Sequence, residues 1–157
     1  MELSKIANDL RLLNSGPHTG LNEIELPALQ PGSSIMPGKV NPAVAEMLNM
    51  VCFHVIGHDT AMTHAAEAGQ LELNVMMPYV AYALLESIEL MEKAVSTFDE
   101  KCIRLIKANE EKCREYDERS VGRAALYNEK LGFMGAAKLA TKAIETGKTV
   151  QEVAEEQ

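Results

Sequence analysis

The sequence predicts an all-α protein in which long helices form a bundle and a small helical domain follows. Apolar side chains recur at helical spacing through most of the 157 residues. Hydrophobic residues make up 46% of the chain and aromatic residues only 4%, which is typical of helices packed through Ala, Leu, Val and Met. Segments that contain Gly and Pro stand between the helical stretches and mark where they end.

The first part of the chain predicts three helices and one long loop. Leu3, Ile6, Leu10 and Leu13 follow a helical period, and the sequence Asn-Ser-Gly-Pro after them ends the helix. A loop of this length inside a compact domain is usually functional or disordered, and its fixed composition favours function. We therefore expect helices over residues 2–13, 42–62 and 77–106, a long loop over 18–41 and a break over 65–74.

The composition becomes more charged beyond Lys107, and the helical stretches become shorter. We expect a first domain over residues 1–107 and a small C-terminal helical domain over 108–157. Thr149 is the expected N-cap of the last helix. The predicted short helices cover residues 118–126, 135–146 and 149–156.

Charge and cysteine usage exclude several classes of partner. The net charge is −8, and the basic residues form no block of the kind that binds nucleic acid. Three separated cysteines without a Cys-x-x-Cys pair fit a reducing compartment, so we expect a cytoplasmic protein. The sequence has no stretch of about 18 uncharged apolar residues and no signal-peptide pattern, so we expect no membrane partner.

The segment GSSIMPGKVNP, residues 32–42, has the composition of a reactive loop. Its two glycines permit unusual backbone conformations, its two prolines fix φ, and it carries two hydroxyls, a cation and an amide just before a helix start. Backbone N–H groups, Lys39 and the helix N-terminus could stabilise an alkoxide at Ser33. From the residues alone, ordinary structural roles are favoured. Ser33 and Ser34 would be turn serines, Lys39 a solvated cation, Asn41 a helix cap and Glu46 a helix-dipole partner.

This eleven-residue segment resembles the signature of the fumarase/aspartase superfamily, whose members add or remove H–X across fumarate-like double bonds. The resemblance extends through KIANDLRLLNSGPHTGLNEIELP before the signature and AEAGQLELNVMMP after it. It implies that Ser33 is the general base and that Ser34, Lys39 and Asn41 bind the substrate, with Lys39 and Asn41 on a carboxylate. It also implies that Glu46 orients a catalytic histidine supplied by another part of the enzyme.

The resemblance further implies a homotetramer whose active sites combine segments from three subunits, acting on a dicarboxylate or amino-acid substrate. It implies no organic cofactor. This chain would be a fragment of a longer one, with residues 1–107 a partial domain and residues 108–157 a truncated one.

The segment Gly69-Gln70-Leu71 favours the aspartase branch, which deaminates L-aspartate to fumarate and ammonia by anti elimination. Class II fumarate hydratase is the alternative reaction. A catalytically inactive helical oligomerisation module is the alternative for the isolated chain.

His54 and His58 stand four residues apart on one helical face, with Asp59 and His64 nearby. This spacing can in principle hold a divalent metal. No Glu follows His54 as in the His-Glu-x-x-His pattern, and core residues stand between the two histidines. We therefore expect a packing role for this pair and no metal site.

Overall fold

The computed structural model describes residues 1–156 and confirms the all-α class. Two short strands form a two-stranded sheet, and two short segments are 3₁₀ helices. The described α-helices are α1 (Glu2–Leu13), α2 (Ala43–Glu67), α3 (Met77–Lys101), α4 (Glu110–Arg119), α5 (Asn128–Thr146) and α6 (Val150–Glu155). The strands are β1 (Ile24–Glu25) and β2 (Lys107–Ala108), and the 3₁₀ helices are Ile103–Leu105 and Val121–Tyr127.

The chain divides into one unit over Met1–Lys107 and a second that begins at Ala108. In the first unit α2 packs against both α1 and α3. Leu48 on α2 is fully buried, which contributes about 1.5 to 3 kcal/mol. Small side chains on all three helices allow the close approach. The buried residues of this core are Ala7, Ala45, Leu48, Cys52, Ala94, Phe98 and Cys102.

The two long helices differ from their predicted bounds at their C-terminal ends. α2 continues past Met62 to Glu67, where Asn74 Nδ2 donates to the Ala65 carbonyl at 3.0 Å and so satisfies one of the last free acceptors. α3 ends at Lys101 rather than Ile106. Cys102 leaves the helical region with φ −130° and ψ −68°, and a 3₁₀ helix follows it.

In the second unit, α4 was not predicted. Its residues carry no apolar stripe, which is the signal that periodicity detects. The helix is stabilised at its ends instead, because the Asn109 side chain accepts from the Lys112 N–H at 3.2 Å and acidic residues occupy its first turn. The helix expected over residues 118–126 is wrong, since α4 ends at Arg119 and Val121–Tyr127 is a 3₁₀ helix.

The sequence predicts the last two helices correctly except for the start of α5. α5 begins at Asn128 rather than at residue 135, and Gly132 kinks it at φ 69° and ψ 167°. Thr149 caps α6 as expected. Its Oγ1 accepts from the Glu152 N–H at 3.2 Å, and Glu152 Oε2 accepts from the Thr149 N–H at 2.7 Å, which is a complete capping box. The buried residues of this unit's core are Ala124, Leu139, Ala143, Val150 and Val153.

None of the helices in the described part of the chain is both long and apolar enough to cross a membrane.

Replacing Thr149 with Ala should lower the stability of the second unit by about 1 kcal/mol, because the α6 N-terminus loses its side-chain acceptor. Thermal unfolding monitored by circular dichroism measures the change. Thr146→Ala is the matched control, since Thr146 Oγ1 only donates back to the Lys142 carbonyl inside α5 at 2.7 Å. Equal destabilisation by both variants would contradict the capping role.

Candidate active site

The Gly32–Asn41 segment forms a loop whose two ends are fastened to each other. The Gly32 N–H donates to the Lys39 carbonyl at 2.8 Å, and Pro31 and Val40 form an antiparallel bridge. Asn41 Nδ2 donates to the Gly32 carbonyl at 3.1 Å. The loop is therefore held at its base, immediately before α2 begins at Ala43.

Glycine is required at two positions of this loop for different reasons. A Cβ atom on Gly32 would lie 2.6 Å from the Lys39 carbonyl oxygen and 2.9 Å from the Asn41 nitrogen, so only glycine allows the two strands to approach this closely. Gly38 has φ +79°, in the left-handed region that residues with side chains rarely adopt.

Ser33 lies half-buried in the loop, and its hydroxyl oxygen is the acceptor of two backbone hydrogen bonds. The N–H groups of Ile35 and Met36 both donate to Ser33 Oγ at 3.1 Å. This is the geometry of a serine turn, and the same two donors also favour negative charge on the oxygen. Ser33 is therefore a turn serine, and the same turn provides N–H donors of the kind that an alkoxide needs.

Two of the other predicted substrate-binding residues, Ser34 and Lys39, lie in the same loop as Ser33. Ser34 and Lys39 are exposed, and Lys39 Nζ forms no ion pair with the residues that the structure describes. Ser33 and Lys39 line a common depression of about 440 Å³, together with Met36 and Gly38. A cation without an acidic partner, beside a hydroxyl that already accepts two N–H groups, suits an anionic ligand.

Asn41 does not cap α2. The helix has Pro42 at its N-cap and no side-chain capping hydrogen bond, so the reading of Asn41 as a cap is wrong. The physical reason is that the Asn41 amide turns back to the Gly32 carbonyl and closes the loop. Its Nδ2 has a second hydrogen that this contact does not use.

Glu46 lies in the first turn of α2 and forms an ion pair with α1. Its Oε1 is 3.7 Å from Arg11 Nη2, and both side chains are partly exposed. Arg11 Nη1 also donates to Asn8 Oδ1 at 3.0 Å, and the buried Asn49 donates to the same oxygen at 2.7 Å. No described histidine is hydrogen-bonded to Glu46 or to Ser33.

Arg11 and Asn8 were not singled out from the sequence. They stand three residues apart on one face of α1, and this polar spacing was the available signal. The structure brings them to Glu46 and leaves Arg11 Nε and Asn49 Oδ1 buried without a partner among the described residues. The start of α2 is thus fixed by polar contacts as well as by the core.

The segment Gly69-Gln70-Leu71 forms a tight turn between α2 and α3. Gln70 and Leu73 exchange backbone hydrogen bonds of 2.7 and 3.1 Å. Leu71 has φ +56° and a fully exposed side chain. The segment that favours one branch of the family over another is therefore an exposed turn.

Comparison with known proteins finds lyases. Residues 1–57 match the family model described as Lyase. Over its full length the chain is 53% identical to an aspartate ammonia-lyase from Pseudomonas fluorescens and covers 33% of that protein. The resemblance to the fumarase/aspartase superfamily is thus supported by aspartate ammonia-lyases that align with the whole chain. It spans about a third of the length of the curated relatives it matches.

Solved structures of the superfamily have the same fold over almost the entire chain. A fumarate lyase:delta crystallin from Brucella melitensis, solved bound to cobalt, is 51% identical with a TM-score of 0.91, covering 99% of this chain and 34% of the other. A class II fumarase from Schistosoma mansoni is 43% identical with a TM-score of 0.90, covering 98% of this chain and 32% of the other. The superfamily assignment made from the signature is confirmed, while the roles of its residues stay predictions.

Gly32→Ala should open the base of the superfamily's signature loop, because the new Cβ meets backbone atoms that cannot move away cheaply. We expect loss of hydrogen-exchange protection at the Gly32 amide and a stability loss of about 1 to 3 kcal/mol. Gly57→Ala is the control, since a Cβ at Gly57 in α2 meets nothing within 4 Å and should stabilise the helix slightly. Unchanged exchange over residues 31–41 in Gly32→Ala would show that the loop does not depend on this close approach.

Proposed function

We propose that this chain carries the serine loop of a carbon–nitrogen lyase that converts L-aspartate into fumarate and ammonia. The proposal is carried by the hydrogen bonding of Ser33 inside the signature segment, where Oγ accepts hydrogen bonds from two backbone N–H groups at 3.1 Å. The aspartate ammonia-lyase from Pseudomonas fluorescens, 53% identical over the whole chain, supports the choice of reaction.

Ser33 acts as the general base in this proposal. A free serine hydroxyl is a very weak acid, so its alkoxide must be stabilised before it can take a proton from carbon. The N–H groups of Ile35 and Met36 supply that stabilisation, and the nearby charge of Lys39 adds to it once water is excluded.

The reaction then proceeds in two balanced steps. Ser33 Oγ takes a proton from the β-carbon, and the electron pair of the broken C–H bond moves onto the adjacent carboxylate as an aci-carboxylate. That pair returns to form the carbon–carbon double bond as the C–N bond breaks, and the protonated amino group (–NH3⁺) of the substrate leaves with the C–N electron pair as neutral ammonia. The products are fumarate and ammonia, with the transferred proton left on Ser33.

Lys39, Asn41 and Ser34 bind the substrate and stabilise this charge. Lys39 is the exposed cation of the loop, and Asn41 keeps a free N–H while it closes the base. Hydrogen bonds to the aci-carboxylate strengthen as its charge grows, so these donors contribute most in the transition state. Glu46 orients a histidine from another segment. The ion pair with Arg11 holds the Glu46 carboxylate in position.

The same residues suit the addition of water to fumarate, so class II fumarate hydratase is the second candidate. The Schistosoma mansoni fumarase, 43% identical over nearly the whole chain, favours it. Gly69-Gln70-Leu71 and the higher identity to the Pseudomonas fluorescens protein favour aspartate as the substrate.

We also propose that the active protein is a cytoplasmic homotetramer built on α2 and α3. Large apolar side chains on these helices are exposed in the single chain, among them Phe53 at 58%, Leu85 at 67% and Ile88 at 57%. Exposed apolar surface of this extent is typical of surfaces that other subunits cover.

The product of the complete reading frame should release ammonia from L-aspartate and should form no malate from fumarate. Both rates are measured on the same preparation. Malate formation without ammonia release would support the fumarase assignment instead. Neither activity, in a preparation that forms a stable oligomer, would support the non-catalytic oligomerisation module.

Ser33→Ala in that protein should lower kcat by about 100- to 10,000-fold, because the general base is lost. Folding should change little, since the loop base does not use the Ser33 side chain. Steady-state kinetics and circular dichroism measure the two quantities. Ser96→Ala, an exposed serine on α3, is the matched control, and near-normal turnover of Ser33→Ala would overturn the assignment of the base.

A further inference from the structure

We propose that His54, His58 and Glu86 form a binding site for a divalent transition-metal ion, with Zn²⁺ as the ion of best fit. The site joins α2 to α3 within the first unit. It uses none of the loop residues and does not depend on the proposed reaction.

The three candidate ligand atoms converge on one point. One nitrogen from each histidine and one Glu86 oxygen all lie within 4.8 Å of one another. Glu86 Oε2 is 3.3 Å from His54 Nε2 and 3.3 Å from His58 Nε2. Glu86 is the acidic ligand that the spacing of the two histidines lacked, and it comes from the facing helix rather than from the same one.

These separations fit a tetrahedral ion. Zinc lies roughly 2.0 to 2.2 Å from His nitrogen and carboxylate oxygen, so tetrahedral geometry separates neighbouring ligand atoms by about 3.3 to 3.6 Å. Both nitrogen–oxygen distances fall at this value. Each histidine nitrogen therefore already lies at a ligand-to-ligand spacing from the same carboxylate oxygen.

The hydrogen bonding of His58 directs its other nitrogen to the proposed ion. Nδ1 is 3.1 Å from the Ala83 carbonyl and 3.2 Å from Ser87 Oγ, whose own hydrogen is donated to that carbonyl at 2.6 Å. A carbonyl only accepts, so Nδ1 carries the proton of this contact. A carbonyl behind the ligating histidine is the usual outer support of a metal site.

In the neutral ring, Nε2 of His58 then bears a lone pair that faces an oxygen of Glu86 at 3.3 Å. Two acceptors this close repel each other unless a cation lies between them. A metal ion satisfies both acceptors and His54 at once. A second proton on His58 would satisfy only His58 Nε2 and Glu86 Oε2, and would leave His54 out. Zn²⁺ titration distinguishes a bound metal ion from such a proton.

Glu86 is held in place by α3 itself. Tyr82 donates its hydroxyl to Glu86 Oε1 at 2.9 Å, which leaves Oε2 for the two histidines. The hydrogen bond from Tyr82 lowers the pKa of Glu86. His58 is 15% exposed and His54 47% exposed, so solvent and a fourth ligand can reach the ion.

The ligand set selects the class of ion. Two imidazoles and one carboxylate suit Zn²⁺ and neighbouring transition metals. Mg²⁺ prefers six oxygen ligands and gives up its water reluctantly, so it fits poorly here.

The experiment is a titration of the untagged 157-residue chain with Zn²⁺ by isothermal calorimetry, in a Cys113→Ser background that removes the exposed thiol. We expect one ion per chain, little competition from Mg²⁺, and a visible Co²⁺ spectrum typical of four-coordinate geometry. Glu86→Gln and His58→Gln should each weaken Zn²⁺ binding by about 100-fold or more, beyond the 10- to 100-fold cost of losing an outer partner.

His64→Gln is the matched control. His64 and Glu67 also form a histidine–carboxylate pair, at 3.0 Å on the exposed end of α2, but no third ligand from the described part of the chain meets them. Zn²⁺ binding should be unchanged in this variant. Absence of stoichiometric binding by the starting chain, or equal affinity in Glu86→Gln and His64→Gln with folding intact by circular dichroism, would overturn the site and leave a protonated pair.

Discussion

The packing of α2 between α1 and α3 is the constraint on which the rest of the first unit depends. Ala45, Leu48 and Cys52 bury one face of α2, and Ala94 and Phe98 of α3 close over it. The N-terminal end of this helix fixes where the serine loop returns to the bundle. Its middle part carries the two histidines that face Glu86. A shift of α2 along its axis would therefore displace the serine loop and the two histidines together.

The serine loop combines rigidity at its base with exposure at its tip. Gly32 fastens the base through a backbone hydrogen bond at a point with no room for a side chain, and Asn41 fastens it through its side-chain amide. Ser34 and Lys39 stay exposed beside Ser33. This division suits a loop that keeps a hydroxyl in a fixed field of N–H donors while its cation remains free to meet an anion, because preorganised donors cost no rearrangement at the moment of reaction.

Polar contacts between helices specify positions that the apolar core alone leaves open. Ala-rich surfaces allow neighbouring helices to slide, since small side chains interlock weakly. The Asn8–Asn49 hydrogen bond sets α1 against α2, and His58 with Ser87 and Ala83 sets α2 against α3. Each contact involves a buried or half-buried polar group, so a register that broke it would leave that group unsatisfied at a cost of about 1 to 3 kcal/mol.

The sequence by itself determined the all-α class, the superfamily, the long loop and the cap at Thr149, because each depends on local periodicity or on a contiguous motif. It missed α4, whose stability comes from capping and charge rather than from an apolar stripe. Only the tertiary structure decided that Asn41 closes the loop instead of capping α2, that Arg11 meets Glu46, and that Glu86 approaches His54 from 32 residues away. These contacts join separate segments, and their geometry follows from helix packing that no local pattern encodes.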